Sequence, residues 1–317
     1  MKIRSIVAVV IAIGFVVSGC SSSTMNPDSI VDSTTAPVSV TAVPTTDVPE
    51  TVCGQELTTG FQRMACEEMV FDVAVPEVCD SVGCGLIIDV HGGPTTGAFA
   101  ERHTGMQGIG NAAGYVVVQP NSPQELWNHE TDDDRVRSFV DRLIEGLSLN
   151  QDRVHIGGFS LGGEMTWRFV CDHSDLIASA APAGTGASDQ IEPYPRVSCD
   201  FDADGSPAQQ VDIFYTHGTQ DHDVPFWAAI QQRDLVIASW DMTQESVLAD
   251  ESDYRWTRWT NAEGTVFEFL EHDWQGGGLG GHCYPGASTT EIGCGTQTPV
   301  HYGEAALQFY IDHPKSE

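Results

Sequence analysis

The sequence predicts an α/β fold in which a mostly parallel sheet is covered by helices on both faces. Short apolar runs rich in β-branched residues alternate along the chain with segments whose apolar residues recur at helical spacing. This alternation is typical of parallel sheets, because parallel strands are joined by long crossovers that are usually helical. The chain has 317 residues, of which 41% are hydrophobic, so it can build one large core.

The individual elements follow from the same pattern. Asp132, Asp133 and Asp134 stand just before residues 136–147, whose apolar residues recur at helical spacing, and negative charge favours a helix N-terminus. In a sheet of this class, ligands bind at the carboxyl ends of the strands. The six predicted strands are residues 85–91, 115–120, 153–158, 177–183, 211–216 and 266–270.

Charge excludes two classes of partner. Lys and Arg total 14, Asp and Glu total 45, and the formal net charge is −31. A nucleic-acid-binding protein needs basic residues to neutralise phosphates, and so does a protein held at an anionic membrane by its charge. We therefore expect a strongly solvated acidic surface and no nucleic-acid partner.

The N-terminus predicts an export signal of the lipoprotein type. Lys2 and Arg4 precede an apolar run, residues 6–17, which is too short to span a bilayer comfortably. Small residues stand directly before Cys20, as in the lipobox whose cysteine becomes the acylated first residue of the mature protein. The acyl chains would anchor the protein to a membrane, facing the periplasm or the cell exterior. The alternative is an ordinary signal peptide with a chance cysteine.

Three segments are expected in the whole chain. Residues 1–19 are the signal peptide, and residues 20–52 are the lipidated Cys20 and a disordered tether rich in Ser, Thr and Pro. Residues 53–317 form a single folded domain.

Cysteine usage agrees with export. Cys20 is one of nine cysteines, and an even number remains in a chain sent to an oxidising compartment. The spacings lack two close C-x-x-C pairs, which disfavours a zinc site. Sequence leaves the connectivity open, and nearest-neighbour pairing would join Cys53 to Cys66, Cys79 to Cys84, Cys171 to Cys199 and Cys283 to Cys294.

A candidate nucleophile stands between a predicted strand and a helical pattern. Residues 158–162 match G-x-S-x-G, and the strand before and helix after are the context that this motif requires. The sharp turn lifts the Ser160 hydroxyl above the sheet, and the flanking glycines relieve crowding. The backbone N–H of Leu161 then points from a helix N-terminus at a developing oxyanion. The alternative is a glycine-rich turn with an incidental serine.

A serine nucleophile needs a histidine base and an orienting carboxylate. Asp221 and Asp223 both follow the fifth predicted strand, so either fits the chain order serine, aspartate, histidine. His282 lies in a glycine-rich loop after the sixth strand and is the expected base. His272, at the end of that strand, is its rival.

The other oxyanion donor is expected just after the first strand. Residues 91–93 read His-Gly-Gly, and we assign the donor to Gly93 or to a residue shortly after it. A plain tight turn is the alternative. Trp127, in the loop after the second strand, either lines the substrate pocket or packs as an ordinary core residue.

One acidic segment is weighed as a metal site. Residues 200–205 match the opening of a calcium loop, D-x-D-x-D-G, but Val211 stands where a bidentate Glu is required. We therefore expect a solvated acidic turn, no metal site and no cofactor.

Four segments together resemble the secreted polyhydroxybutyrate depolymerase and feruloyl esterase-like group of α/β-hydrolases. That family shows H-G, G-x-S-x-G-G, H-G-T-x-D-x-x-V-P and G-G-H-x-W-P-G in this order. Here Tyr284 stands where Trp is common and Gly93 where Cys is frequent. The resemblance covers roughly residues 53–312. The matching segments are residues 90–93, 158–163, 217–225 and 281–286.

The resemblance implies an α/β-hydrolase fold without a large lid, in a lipoprotein member of the family. It implies Ser160, Asp221 and His282 as the catalytic triad, and so favours Asp221 over Asp223. It also implies a serine ester hydrolase that acts through an acyl-enzyme on polymeric or oligomeric hydroxyalkanoate esters. The alternatives are a feruloyl or acetyl xylan esterase and, more remotely, a non-catalytic surface lipoprotein on a hydrolase scaffold.

Overall fold

The computed structural model describes residues 51–79, 82–186, 209–288 and 291–315. They belong to one structural unit, Asp47–Glu317. Several predicted features lie outside the described residues: the signal peptide, Cys20, the tether up to residue 50, Cys199 and the candidate calcium loop at residues 200–205.

The described residues form strands and helices that alternate through most of the chain. The strands are β1 Thr51–Val52, β2 Gln55–Glu56, β3 Gly60–Cys66, β4 Met69–Val75, β5 Gly85–Val90, β6 Tyr115–Asn121, β7 Val154–Phe159, β8 Ser179–Ala183, β9 Asp212–Gly218, β10 Gln244–Asp250, β11 Tyr254–Thr260 and β12 Val266–His272. The helices are α1 Gly97–Thr104, α2 Met106–Ala112, α3 Asp132–Leu147, α4 Leu161–Asp172, α5 Phe226–Ser239 and α6 Tyr302–Asp312.

Within the described ranges, ten of these strands form one sheet in the order β10-β11-β12-β9-β8-β7-β5-β6-β4-β3. The six central strands, from β12 to β6, run parallel, and the two strands at each edge are antiparallel. The parallel centre comprises the six strands predicted from the sequence. The antiparallel edge strands were not predicted from the sequence.

Helices cover both faces of the sheet, as predicted. Along β5, Leu86 and Ile88 enter the core beneath α3, α4 and α5, whereas Ile87 between them enters the core beneath α2 and α6. Successive side chains of a strand point to opposite faces, so a strand buried on both faces shows a continuous apolar run instead of an alternating one. On the α3 side, Phe139 stacks on Phe71 of the sheet with 3.8 Å between the ring centroids.

Two sequence expectations need correction at their boundaries. The folded part includes Thr51 and Val52, which were assigned to the tether, because Val52 is 4% exposed and joins the core. Helix α3 begins at Asp132, so the acidic residues form its first turn instead of preceding it. This position suits them, because a helix N-terminus carries partial positive charge.

Three of the four expected disulfides are present. The bridges join Cys53 to Cys66, Cys79 to Cys84 and Cys283 to Cys294. The fourth pairing depends on Cys199, which is outside the described residues. No helix in the described part of the chain is long and apolar enough to cross a membrane.

Candidate active site

The predicted site residues lie together at the carboxyl ends of the central parallel strands. Ser160 follows β7 directly, Asp221 comes three residues after β9, and His282 lies in the loop that follows β12. The predicted oxyanion segment, residues 91–93, follows β5, the neighbour of β7. Carboxyl ends of parallel strands meet at the same edge, so the topology brings segments distant in sequence together.

Ser160 occupies a strained turn between β7 and α4. Its backbone has φ 56° and ψ −121°, a conformation that residues other than glycine rarely adopt. Such strain costs on the order of 1–3 kcal/mol and persists only where surrounding contacts impose it. Two backbone hydrogen bonds hold the turn. Glu164 N donates to Ser160 O at 3.0 Å, and Ser160 N donates to Ala183 O at 2.9 Å.

The two glycines of the serine motif are required by close backbone contacts. A Cβ atom at Gly158 would lie 2.5 Å from the carbonyl oxygen of Gly162, and one at Gly162 would lie 2.2 Å from that of Val90. Both distances are well inside van der Waals contact. The motif therefore lets the first turn of α4 pack directly on the ends of β7 and β5.

Asp221 and His282 form the shortest link between the predicted catalytic side chains. His282 Nδ1 lies 2.7 Å from Asp221 Oδ2, and both side chains are buried. The other carboxylate oxygen, Oδ1, accepts hydrogen bonds from the backbone N–H groups of Asp223 at 2.8 Å and Val224 at 2.7 Å. With Oδ1 bound to these two donors, Oδ2 accepts from Nδ1–H of His282, which leaves Nε2 as the nitrogen that can take a proton.

A second histidine, His217, contacts the same carboxylate. Its Nε2 lies 3.5 Å from Asp221 Oδ2 and 3.0 Å from the carbonyl oxygen of Val224, to which Nε2–H donates. Burial lowers the pKa of His217 to about 4, so at neutral pH it carries no charge that would compete with His282 for the carboxylate. Sequence reasoning missed this residue, although its spacing of four residues from Asp221 was visible.

The loops that carry Asp221 and His282 support each other through their backbones. Gly281 N donates to Gln220 O at 2.8 Å, and Asp221 pairs with Gly280 in an isolated β-bridge. A Cβ atom at Gly218 would lie 2.2 Å from the carbonyl oxygen of Gly281, so the two loops approach as closely as glycines allow. The glycine-rich composition of the histidine loop thus reflects close packing.

The residues just after His282 fix the far side of its loop. Cys283 is bonded to Cys294, and their Cα atoms are 5.1 Å apart. Tyr284 is 1% exposed. Its backbone N–H donates to Ile292 O at 2.7 Å, and its carbonyl oxygen accepts from Cys294 N at 2.9 Å. Its ring stacks on Phe159, the residue before Ser160, at 4.2 Å. Tyr284 therefore serves as an aromatic support at a position where the family commonly has Trp.

The structure does not join Ser160 to His282 by a hydrogen bond. The described contacts connect them instead through Phe159, whose ring centroid is 4.7 Å from that of His282. Catalytic hydrogen bonds are often long in an enzyme without substrate and shorten in the complex. The Asp223 carboxylate also lies near Nε2 of His282, with Oδ2 3.7 Å away.

The predicted oxyanion segment lies against the serine turn. A Cβ atom at Gly92 would lie 3.2 Å from Ser160 Cβ, and one at Gly93 would lie 2.4 Å from Leu161 Cδ1. Leu161 is the first residue of α4, where a backbone N–H has no partner within the helix. The segments that carry the two predicted oxyanion donors are therefore adjacent to each other and to Ser160.

His91 holds the oxyanion segment in place. Its Nε2 accepts a hydrogen bond from Ser122 N at 3.2 Å, so Nδ1 carries the hydrogen and donates to Gly92 O at 2.6 Å. The Thr95 hydroxyl donates to the same carbonyl. Burial lowers the pKa of His91 to about 4, so this arrangement remains neutral at physiological pH.

The geometry favours a packing role for Trp127. Its indole N–H donates to His91 O at 2.8 Å, its ring lies 4.5 Å from the His91 ring, and it is only 5% exposed. Trp127 therefore supports the predicted oxyanion segment through its contacts with His91. The more exposed neighbour in that loop is Leu126, at 52%.

His272, the rival base, is a core residue. It is 1% exposed and stacks on Trp274 at 5.0 Å, and burial lowers its pKa to about 3. No group of three or more His, Cys, Asp or Glu side chains in the described ranges is placed to hold a metal ion.

The fold is that of the α/β-hydrolases, as comparison with solved structures confirms. An acetyl xylan esterase from Aspergillus awamori superposes with a TM-score of 0.57 at 14% identity, covering 79% of this chain and 98% of that one. A thermostable esterase superposes with a TM-score of 0.53 at 15% identity, covering 80% and 63%. At these identities the likeness concerns the fold alone.

Sequence relatives are esterases as well, although no family model matches the chain. The chain is 30% identical over 148 residues to a putative esterase, NocK, of Nocardia uniformis subsp. tsuyamanensis, covering 41% of the chain and 42% of the relative. It is 28% identical to feruloyl esterase B of Piromyces equi, covering 46% and 28%. It is 25% identical to poly(3-hydroxyalkanoate) depolymerase C of Paucimonas lemoignei, covering 32% and 28%.

These relatives confirm the resemblance stated from the sequence motifs, since feruloyl esterases and polyhydroxyalkanoate depolymerases both occur among them. The chain spans 42% or less of the length of each relative named here.

The disulfide beside His282 should matter more for catalysis than for overall stability. We expect Cys283→Ser/Cys294→Ser to lower kcat for ester hydrolysis by up to about 100-fold, because small displacements of a catalytic group have effects of that size. The loss of folding free energy should be about 3 kcal/mol or less. Steady-state kinetics and thermal unfolding of the same preparations measure both quantities.

Cys53→Ser/Cys66→Ser is the matched control. Its bridge closes a loop of similar length, with a sequence separation of 13 against 11, at the β3 edge of the sheet. The control should lower the melting temperature comparably and leave kcat near the wild-type value. Equal kcat for the two double variants would refute a specific role of the bridge at Cys283.

Proposed function

We propose that this chain is a serine ester hydrolase that works through an acyl-enzyme, with Ser160, Asp221 and His282 as its triad. The observation that carries the proposal is the 2.7 Å contact between His282 Nδ1 and Asp221 Oδ2, at the sheet edge where Ser160 stands on its strained turn. The esterase relatives support the same reaction class.

In the acylation step, His282 Nε2 takes the hydroxyl proton of Ser160 while Oγ attacks the ester carbonyl carbon. The carbonyl oxygen becomes an oxyanion, which the N–H groups of Leu161 and of the Gly93 segment stabilise. Collapse of the intermediate breaks the bond to the alcohol oxygen, which leaves with the proton from His282. Asp221 holds His282 in the required tautomer and stabilises the imidazolium.

Deacylation repeats these events with water. His282 Nε2 takes a proton from water as the water oxygen attacks the acyl carbon, and the same N–H groups stabilise the second oxyanion. The ester bond to Ser160 then breaks, and Oγ recovers its proton from His282. The products are an acid and an alcohol, and the cycle needs no cofactor.

Exposed apolar side chains around the site favour the proposal that its substrates are large or polymeric esters. Three hydrophobic side chains near the site are exposed: Leu126 at 52%, Trp227 at 47% and Leu279 at 38%. Leu126 lies beside Gly93, Trp227 is the second residue of α5, and the Leu279 carbonyl accepts from His282 N. Exposed apolar side chains around a site are a common sign of a binding surface.

For the natural substrate, we propose hydroxyalkanoate polyesters or oligomers, in keeping with the depolymerase relative. The feruloyl esterase relative favours a second candidate, an ester of a plant polysaccharide, because it matches 46% of the chain against 32% for the depolymerase. Hydrolysis rates on hydroxybutyrate oligomers, methyl ferulate and short p-nitrophenyl esters would distinguish them.

Ser160→Ala tests the reaction class. The variant should fold, fail to bind a fluorophosphonate probe covalently, and lose on the order of 10⁴-fold or more in kcat on p-nitrophenyl acetate, because a triad acts as a unit. Ser138→Ala in α3 is the matched control and should retain both properties. Turnover or labelling in folded Ser160→Ala would contradict the proposal, and an unreactive wild-type chain would favour the non-catalytic alternative.

We also propose that the chain is exported and anchored through an acylated Cys20. The disulfides support an oxidising compartment. Cys20→Ala should move the protein from the membrane fraction to the soluble fraction with its esterase activity intact, as fractionation and activity assays would show. Continued membrane association of this variant would contradict lipid anchoring.

A further inference from the structure

A second carboxylate lies at the reactive face of the catalytic histidine. Asp221 engages Nδ1 of His282, whereas Asp223 Oδ2 lies 3.7 Å from Nε2, the nitrogen that handles the proton in the proposed reaction. The Asp223 side chain is 44% exposed, so it stands at the mouth of the site. Its backbone N–H, not its side chain, supports Asp221.

This position places Asp223 beside the leaving group of the substrate. His282 Nε2 must come within about 3 Å of the alcohol oxygen to which it returns the proton. The alcohol oxygen is therefore at most about 7 Å from Asp223 Oδ2 during acylation. An acyl group held over Ser160 by the oxyanion donors lies on the other side of the scissile bond.

We propose that Asp223 determines specificity by charge: it disfavours esters whose leaving alcohol carries a carboxylate and so directs the site to neutral leaving groups. The inference rests on the proposed function. The carboxylate of such an alcohol lies up to about 3 Å beyond the alcohol oxygen, and so up to about 10 Å from Asp223 Oδ2. Like charges at about 10 Å repel enough to change a rate by about twofold in bulk water and by about 17-fold at an effective dielectric constant of ~20. For a half-exposed group we expect about tenfold.

The proposal has a consequence for the substrate class. In a linear dimer of hydroxybutyrate, the alcohol that leaves bears the free terminal carboxylate. Within a polymer, or in a dimer capped as its methyl ester, the carboxyl next to the leaving alcohol is esterified and neutral. The same active site would therefore cleave internal polyester bonds in preference to the terminal one, and it would accept neutral sugar alcohols equally.

A pair of isosteric substrates tests the inference. O-acetyl-lactamide and O-acetyl-lactate release the same acid, and their leaving alcohols differ in one negative charge. We expect wild-type kcat/KM for acetate release to be about tenfold higher for the amide at low ionic strength. Asp223→Asn and Asp223→Ala should each bring the ratio near unity, and added salt should reduce the wild-type ratio because it screens charges at this distance.

Glu263→Gln is the control for overall charge. It removes the same charge from an exposed residue in the turn before β12. This turn lies at the amino end of β12, whereas the site lies at the carboxyl ends of the parallel strands. Its ratio should match the wild-type ratio. A wild-type ratio near unity, an unchanged ratio in both Asp223 variants, or an equal change in Glu263→Gln would overturn the role of Asp223.

These outcomes are separate from failure of the proposed function. If acetate release from either substrate persists in Ser160→Ala, the proposed nucleophile is wrong whatever the charge preference. If release depends on Ser160 but the ratio does not depend on Asp223, only the specificity proposal fails.

Discussion

The hydrogen bond between Asp221 and His282 is the interaction on which the rest of the site depends. Its partners come from two loops, after β9 and after β12, and the bond fixes which nitrogen of His282 is available for proton transfer. The surrounding structure serves to keep these loops in contact. Backbone bonds and the close approach of Gly218 to Gly281 bring the loops together, and the Cys283–Cys294 bridge restrains the histidine loop from the other side.

Two neutral histidines complete this arrangement without adding charge. Burial lowers the pKa values of both His91 and His217 to about 4. His91 positions the predicted oxyanion segment, and His217 packs beside the Asp221 carboxylate. Because both remain uncharged near neutrality, neither forms an ion pair that would compete with His282 for the Asp221 carboxylate. The Asp223 carboxylate lies on the opposite side of the same ring, with its side chain 44% exposed.

The parallel centre of the fold could be predicted from the sequence, and the candidate site residues could be chosen from it, because their signals are local. A strand buried on both faces is a continuous apolar run, and Ser160 carries its motif in five consecutive residues. The outermost strand β10 is different: all but one of its residues are exposed, so no apolar run marks it. The support of the oxyanion segment by Trp127 and the position of Asp223 at Nε2 depend on tertiary contacts between distant segments, which a sequence pattern does not contain.

A kinetic double-mutant cycle measures whether Asp221 acts through His282 on Ser160. Values of kcat/KM on one neutral ester would be compared for Ser160→Ala, Asp221→Asn and the double variant. We expect Asp221→Asn alone to lose on the order of 10⁴-fold, and we expect no further loss when it is added to Ser160→Ala, because both substitutions disable the same triad. Losses that multiply in the double variant, or near-normal activity of folded Asp221→Asn, would contradict this role of Asp221.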